Sequence, residues 1–351
     1  MDTRQTGPGL ALAAAGLFGL SAPAAKLLAG TVDPWLLAGL LYLGSGIGLG
    51  LYRSAQRLLG GVGSEASLRR QDLPWLGGAI AVGGIIGPVL LMYGLAAGTA
   101  VQSALLLNLE GVLTALIAWS LFHENFDARI AIGMAAIAGG AAVLSWRSVD
   151  GFALDTSALL VIGACLAWAI DNNLTRMVSA GDPLQIAALK GIAAGSINVL
   201  LALVQQAPWP APAAILGAGV VGFLGYGTSL VLFVLALRLL GTARTGAYFS
   251  TAPFMGAIAG AVALHEPLTW QTFLAAGLMG TGVLLHLTER HEHEHLHEAL
   301  EHTHAHVHDE HHQHTHAPGI PLGEPHSHAH VHEPLRHRHL HFPDLHHRHH
   351  H

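Results

Sequence analysis

The sequence predicts an all-α membrane protein, with ten transmembrane helices arranged as two inverted five-helix repeats and a disordered tail after them. Three observations predict this. Few of the first 289 residues are charged, they contain ten apolar runs of spanning length, and the later runs repeat the earlier ones. The 351 residues are 52% hydrophobic, with a mean hydropathy of +0.47, and only 11% are Asp, Glu, Lys or Arg. A soluble domain carries about 25%. A chain of this size folding in water would need a charged exterior, so the composition points to lipid as its solvent.

A spanning helix takes about 20 mostly apolar residues. Such segments lie near 8–28, 35–52, 74–96, 100–122, 128–146, 157–178, 184–205, 212–237, 243–264 and 270–288. Turn chemistry punctuates them in "TVDPW", "AGDPL", "APWPAP" and "HEPLT". The first run, "LALAAAGLFGLSAPA", has the outline of a secretory signal. Its leader "MDTRQ" is not net positive and the run has a counterpart later in the chain, so it reads as a retained helix. Small residues stripe the helices at Gly44, Gly46, Gly48 and Gly50 and in "GIAAG" and "GAIAG", which lets helix backbones approach closely in lipid.

"SLFHENFDARIAIGMAAIAGGAAVL" aligns with "VALHEPLTWQTFLAAGLMGTGVLL", setting His123 against His265 and Glu124 against Glu266. "LSAPAAKLLAGTVDP" aligns with "IDNNLTRMVSAGDP" across one gap, setting Lys26 against Arg176. Residues 1–150 form the first five-helix repeat, 151–290 the second, and 291–351 the tail. Five crossings per repeat force the second to enter the bilayer upside down, the architecture of many secondary transporters. Cationic loops set the orientation. Arg4, Arg53, Arg57, Arg69, Arg70, Arg129, Arg176, Arg238, Arg244 and Arg290 fall on one side, and Arg147 and Lys26 on the other. Both termini are therefore expected in the cytoplasm, and the protein in the plasma (inner) membrane.

Ten helices in two halves, with "HE" near the end of the fourth helix of each, resemble the EamA-type drug/metabolite transporter superfamily. "LHEPLTWQTFLAAGLMGTGVLL" is similar to that family's repeat ending, and "FGLSAPAAKLL" to its first helix, which a Lys commonly closes. The resemblance covers roughly 8–288. It implies a carrier of small solutes and leaves the solute open, because family members move varied cargo. The chain departs from the family in Glu110, inside the fourth helix, and in its tail.

A charge at mid-helix in lipid costs about 3 kcal/mol or more, so each one asks for a role. Glu110, in "LLLNLEGVLTALIAW", suits proton exchange or direct binding of a cation, with Asn108 two residues before it. Asp171, Asn172 and Asn173 form a polar run in the sixth helix. Successive residues point about 100° apart, so the Asp and one Asn can share a cavity. Lys190 lies at the depth of Asp171, and the two can pair as a latch or both contact the solute. Tyr248 is a candidate cavity wall, whereas Trp119, Trp168 and Tyr226 read as packing or interface residues. Lys26 reads as snorkelling to the interface. Glu124 and Glu266 read as partners of helix N-termini.

Three of the 27 histidines lie before the tail, at 123, 265 and 286, and the remaining 24 lie within 291–351. Neutral imidazole ligates Zn, Ni, Co and Cu. His291, His293, His295, His297, His302, His304, His306, His308, His311, His312, His314 and His316 are candidate ligands, aided by Glu292, Glu294, Asp309 and Glu310. The composition cannot build an apolar core, so the tail is expected to be disordered without metal. "HEHEH" matches the zinc-protease pattern H-E-x-x-H, as a run this rich in His and Glu does by chance. The lone Cys165 excludes an intrachain disulfide and a thiolate cluster.

The leading expectation is a proton-coupled exporter of metabolites that is not an enzyme and requires no cofactor. Its partners are the lipid bilayer, a small-molecule solute and transition-metal ions on the tail, with no nucleic acid and a homodimer left open. Two alternatives stand beside it: a divalent transition-metal exporter with the tail as collector, and a membrane-anchored metal store or sensor.

Overall fold

The computed structural model describes residues 3–58, 68, 70–122, 128–147, 153–178, 182–240, 242–287, 292–297, 300–306, 326–332 and 335–340. The first half runs α1 (Thr3–Ala29), α2 (Pro34–Leu58), α3 (Leu73–Ala79), α4 (Gly87–Ala97), α5 (Ala100–Leu106), α6 (Leu109–Phe122) and α7 (Ala128–Ser145). A π-helical segment, Ile80–Ile86, joins α3 to α4 without a break in the rod. The antiparallel strands β1 (Trp146–Arg147) and β2 (Ala153–Leu154) lie between the halves. The second half runs α8 (Thr156–Arg176), α9 (Pro183–Val204), α10 (Pro212–Gly222), α11 (Ser229–Leu240), α12 (Thr242–Phe249), α13 (Ala252–Ala263) and α14 (Trp270–Leu287). Here a π-helical segment, Phe223–Thr228, joins α10 to α11.

Among the described residues eight stretches are long and apolar enough to cross a membrane: Gly7–Ala29, Pro34–Gln56, Arg70–Ala97, Ala100–Leu121, Ala128–Ser145, Thr156–Thr175, Leu184–Val204 and Pro212–Ala236. The ninth expected segment is divided into α12 and the short apolar α13, and the tenth is the 18-residue α14. The division at Ser250–Thr251 has a counterpart at Leu107–Asn108, between α5 and α6.

The halves repeat in their contacts as well as in their breaks. α1 packs on α11 and α13 of the other half, and α8 packs on α4 and α6. α2 packs along α9, and α7 along α14. Exchanging each helix for its counterpart turns one set of contacts into the other. Glycines allow the α2–α9 approach. A Cβ on Gly46 would stand 2.5 Å from the Ile192 amide nitrogen, and one on Gly39 would stand 2.9 Å from that of Val199. The buried core is built of Ala, Leu and Val, with Leu36, Leu37, Leu41, Leu95 and Leu105 fully enclosed.

The two Asp-Pro turns start α2 and α9 alike. Proline opens each helix, where its missing N–H is not needed, and the aspartate caps the next amides. Asp33 Oδ1 accepts from the Trp35 and Leu36 amides at 2.9 and 3.2 Å, and Asp182 Oδ1 from those of Leu184 and Gln185 at 2.9 and 3.1 Å. Asp182 also pairs with Arg53 at 2.7 Å, tying the end of α2 to the start of α9.

Among the described residues of the tail there are four short strands. β3 (Glu292–His297) pairs with β6 (Leu335–Leu340), and β4 (Leu300–His306) with β5 (His326–His332), both antiparallel. The His-x-His alternation has the two-residue period of a strand, which is the local reason for extended pairing.

Candidate functional site

A cavity of about 140 Å³ lies between the halves. Phe18, Ser21 and Ala22 of α1, Tyr42 of α2 and Leu91 of α4 form one wall. Leu107, at the α5–α6 break, and Glu110, in the first turn of α6, form the next. Trp168 and Asn172 of α8 and Tyr226 of the second π-helical segment close it from the other half. Glu110 is the one charged residue among these.

Glu110 Oε1 accepts from Asn172 Nδ2 at 2.9 Å. The same amide reaches Thr114 Oγ1 at 3.3 Å, and the Thr114 hydroxyl donates to the Glu110 carbonyl at 2.8 Å. The carboxylate thus belongs to the first half and its amide partner to the second. Phe18, Tyr42 and Tyr226 form an aromatic wall, with Tyr226 centroids 6.1 Å from Phe18 and 6.0 Å from Tyr42.

The first π-helical segment holds this wall in place. A π turn shifts the backbone ladder and leaves carbonyls in need of donors, and lipid offers none. The Gly83 carbonyl accepts from Tyr42 Oη at 3.0 Å and from Trp168 Nε1 at 2.9 Å. The Gly84 carbonyl accepts from Asn198 Nδ2 at 3.1 Å. Two ring donors from different halves therefore converge on one backbone oxygen.

Asp171, expected to share the cavity with Glu110, does not line it. Both its oxygens are taken by Lys190 Nζ, at 2.5 and 2.7 Å, and Oδ1 also accepts from the Thr175 hydroxyl at 2.8 Å. Of the two roles left open for this pair, the geometry is that of a latch, joining α8 to α9 within the second half. Its carboxylate sits where a Cβ on Gly83 would be, so the pair also backs the π-helical segment.

Of the Asp-Asn-Asn run, Asn172 alone reaches the cavity. Asn173 is buried and donates to the Ala169 and Thr114 carbonyls. Asn108 is buried at the helix break and donates to the Leu105 carbonyl. Tyr248 is half-buried on α12 and is not among the cavity's lining residues. Trp168 and Tyr226, expected as packing or interface residues, line the cavity instead.

The remaining expected polar residues close a corner of the bundle. Lys26 does not snorkel. Its ammonium donates to the Leu95 and Gly98 carbonyls at 2.5 and 2.6 Å and so caps α4. Glu266 Oε1 and Oε2 accept from the Ala100 and Val101 amides, both at 2.8 Å. It therefore serves a helix N-terminus as expected, but that of α5 in the opposite half. A cation and an anion thus flank the α4–α5 corner, each at the helix end whose dipole it suits. His123 and Glu124 lie outside the described residues. So do His291, His308, His311, His312, His314 and His316, while His293, His295, His297, His302, His304 and His306 fall on β3 and β4.

A two-part helical bundle in an apolar exterior, with a charged group in a central cavity, defines a membrane carrier. Residues 5–146 and 155–288 each match the EamA-like transporter family, and the chain belongs to it. An uncharacterized transporter from Methanothermobacter thermautotrophicus is 26% identical over 281 residues, spanning 76% of this chain and 82% of that one. A crystal structure of a protein 17% identical in sequence superposes with a TM-score of 0.57, over 80% of this chain and 96% of that one, a likeness of fold. The chain is a multi-pass transporter of small solutes and not an enzyme.

Proposed function

We propose that the chain is a proton-coupled exporter whose halves cross the bilayer five times each in opposite senses and rock about the cavity. Both termini face the cytoplasm at the plasma membrane. Glu110 exchanges a proton for the solute once per cycle. One observation carries this reading: a carboxylate from the first half, tied to an amide of the second, lines a cavity whose other residues carry no charge. A group placed between moving halves meets each side of the membrane in turn, which coupling requires.

A transition-metal cargo has less support. Among the described residues no three His, Cys, Asp or Glu side chains gather to hold an ion. The tail's histidines then act as an accessory that binds Zn, Ni, Co or Cu at the cytoplasmic mouth.

The test uses purified protein in liposomes with an imposed pH gradient and a panel of labelled amino acids and divalent metals. Wild-type protein is expected to move at least one organic solute with counterflow of protons, and Glu110→Gln to lose the proton-coupled component. Wild-type rates and proton flux in that variant would remove Glu110 from the mechanism.

A further inference from the structure

We propose that the tail holds two divalent transition-metal ions, one on each two-stranded ladder, in sites made by histidines that stand opposite one another in register. This deepens the accessory role given to the tail above and rests on it. The observation is the register. β3 and β6 set His293 against His339 and His295 against His337. β4 and β5 set His302 against His330, His304 against His328 and His306 against His326. Positions two apart on a strand share a face, so each ladder carries a block of histidines on one face. The first block is His293, His295, His337 and His339. The second is His302, His304, His328 and His330, with the His306–His326 pair on the next rung.

The opposite faces are different in kind. On the first ladder Glu294 stands against Arg338 and Leu296 against Arg336, and on the second Thr303 stands against Ala329 and Ala305 against Ser327. A slip of one residue moves every position to the other face, and would set His293 and His295 against Arg336, Arg338 or Leu340. The register therefore decides whether four ligands meet. Residues directly opposite have Cβ atoms about 4.5–5.5 Å apart, and neighbours on one face of a strand lie about 6.5 Å apart. The ladders fix backbone positions, and a bound ion draws four rings in from such a rectangle, with zinc–nitrogen bonds of about 2.0–2.1 Å. Imidazole suits Zn, Ni, Co or Cu, whereas Mg and Ca take oxygen ligands.

Two strands alone are marginally stable in water, and the tail's composition offers no apolar core. The ion supplies the missing free energy, because ligands far apart in sequence meet only in the paired register and binding is then folding. The ladders are thus the metal-bound form of the tail.

Zinc serves as the probe, titrated into the full-length protein in detergent against a chromophoric zinc indicator, and the visible absorption of bound Co(II) reads the geometry. Wild-type protein is expected to take up two zinc ions per chain, at least tenfold more tightly than any further ones, and to give the intense bands of four-coordinate cobalt. His337→Gln with His339→Gln is expected to lose one tight ion. Adding His293→Gln and His295→Gln to that variant should lose no more, because both pairs serve the same ion. His328→Gln with His330→Gln is expected to lose the other. Gln at His346, His347, His349 and His350, which lie on neither ladder, should leave both tight ions in place. Losses that follow the number of histidines removed, whichever they are, overturn the register sites and leave the tail as a metal-binding accessory. Separate, additive losses from the two pairs of the first ladder overturn them as well. Two tight ions that persist after deletion of 291–351 overturn both the sites and the accessory role.

Discussion

The Asp171–Lys190 pair offers the sharpest test of how the bundle is held. Lys190 Nζ lies 2.5 and 2.7 Å from the two carboxylate oxygens, and the side chains are 16% and 8% exposed. Removing one partner of a buried pair leaves an uncompensated charge and costs about 3–5 kcal/mol. Asp171→Asn should therefore lower the melting temperature in detergent by on the order of 10 °C, given 2–4 °C per kcal/mol for larger domains. Lys190→Met should do the same. Replacing a whole buried pair by apolar groups is often neutral, so Asp171→Leu with Lys190→Met should melt within a few degrees of wild type. The measurement is a double-mutant cycle on thermal unfolding, and the expected coupling is about 3 kcal/mol or more. Additive losses would refute the latch and return Asp171 to the cavity as a ligand. A second readout separates the roles further: the double variant should keep proton-coupled flux, because neither residue lines the cavity.

Three further expectations follow from the geometry. Glu266→Ala removes two charge-assisted bonds from the first amides of α5. At about 1.5 kcal/mol or more each it should cost roughly 3 kcal/mol by thermal unfolding, with Glu266→Gln intermediate. Gly83→Ala drives a methyl into the Asp171 carboxylate. Overpacking of this kind costs about 1–3 kcal/mol, so the variant should melt below wild type and show altered fluorescence from Trp168, whose indole bonds to the same carbonyl. Deleting 291–351 should abolish most bound zinc or nickel measured by elemental analysis and leave solute transport by the bundle near the wild-type rate.

Some of this was legible in the residues and some was not, for identifiable reasons. The spans, the two halves and the Asp-Pro helix starts follow from apolar length and turn chemistry, which act locally. Glu110 and Lys190 stand out because a charge in an apolar run is costly wherever it points. The aromatic wall was not legible. In water, apolar residues mark the buried face of a helix, but in lipid the outward face is apolar too. Nothing in the spacing of Phe18, Tyr42, Trp168 or Tyr226 tells which way each turns. The same blindness put Asp171 in the cavity beside one Asn, when rotation about α8 gives Asn172 alone to it. The two capping charges were half legible. Their chemistry suits helix ends, but which end each serves depends on contacts between distant segments, 69 to 72 residues apart for Lys26 and 165 to 166 for Glu266. The π-helical segments leave only a faint trace, in Gly83–Gly84 and in Gly225 and Gly227.

The hydrogen bond from Asn172 to Glu110 spans the seam between the halves at 2.9 Å. If the halves rock about that seam as proposed, a relative displacement of about an ångström at this radius would take the pair beyond hydrogen-bond distance. Each swing would then strip the carboxylate of its amide and hand it to whatever fills the space, so that one mechanical event would both open the chamber and free the acid to exchange a proton.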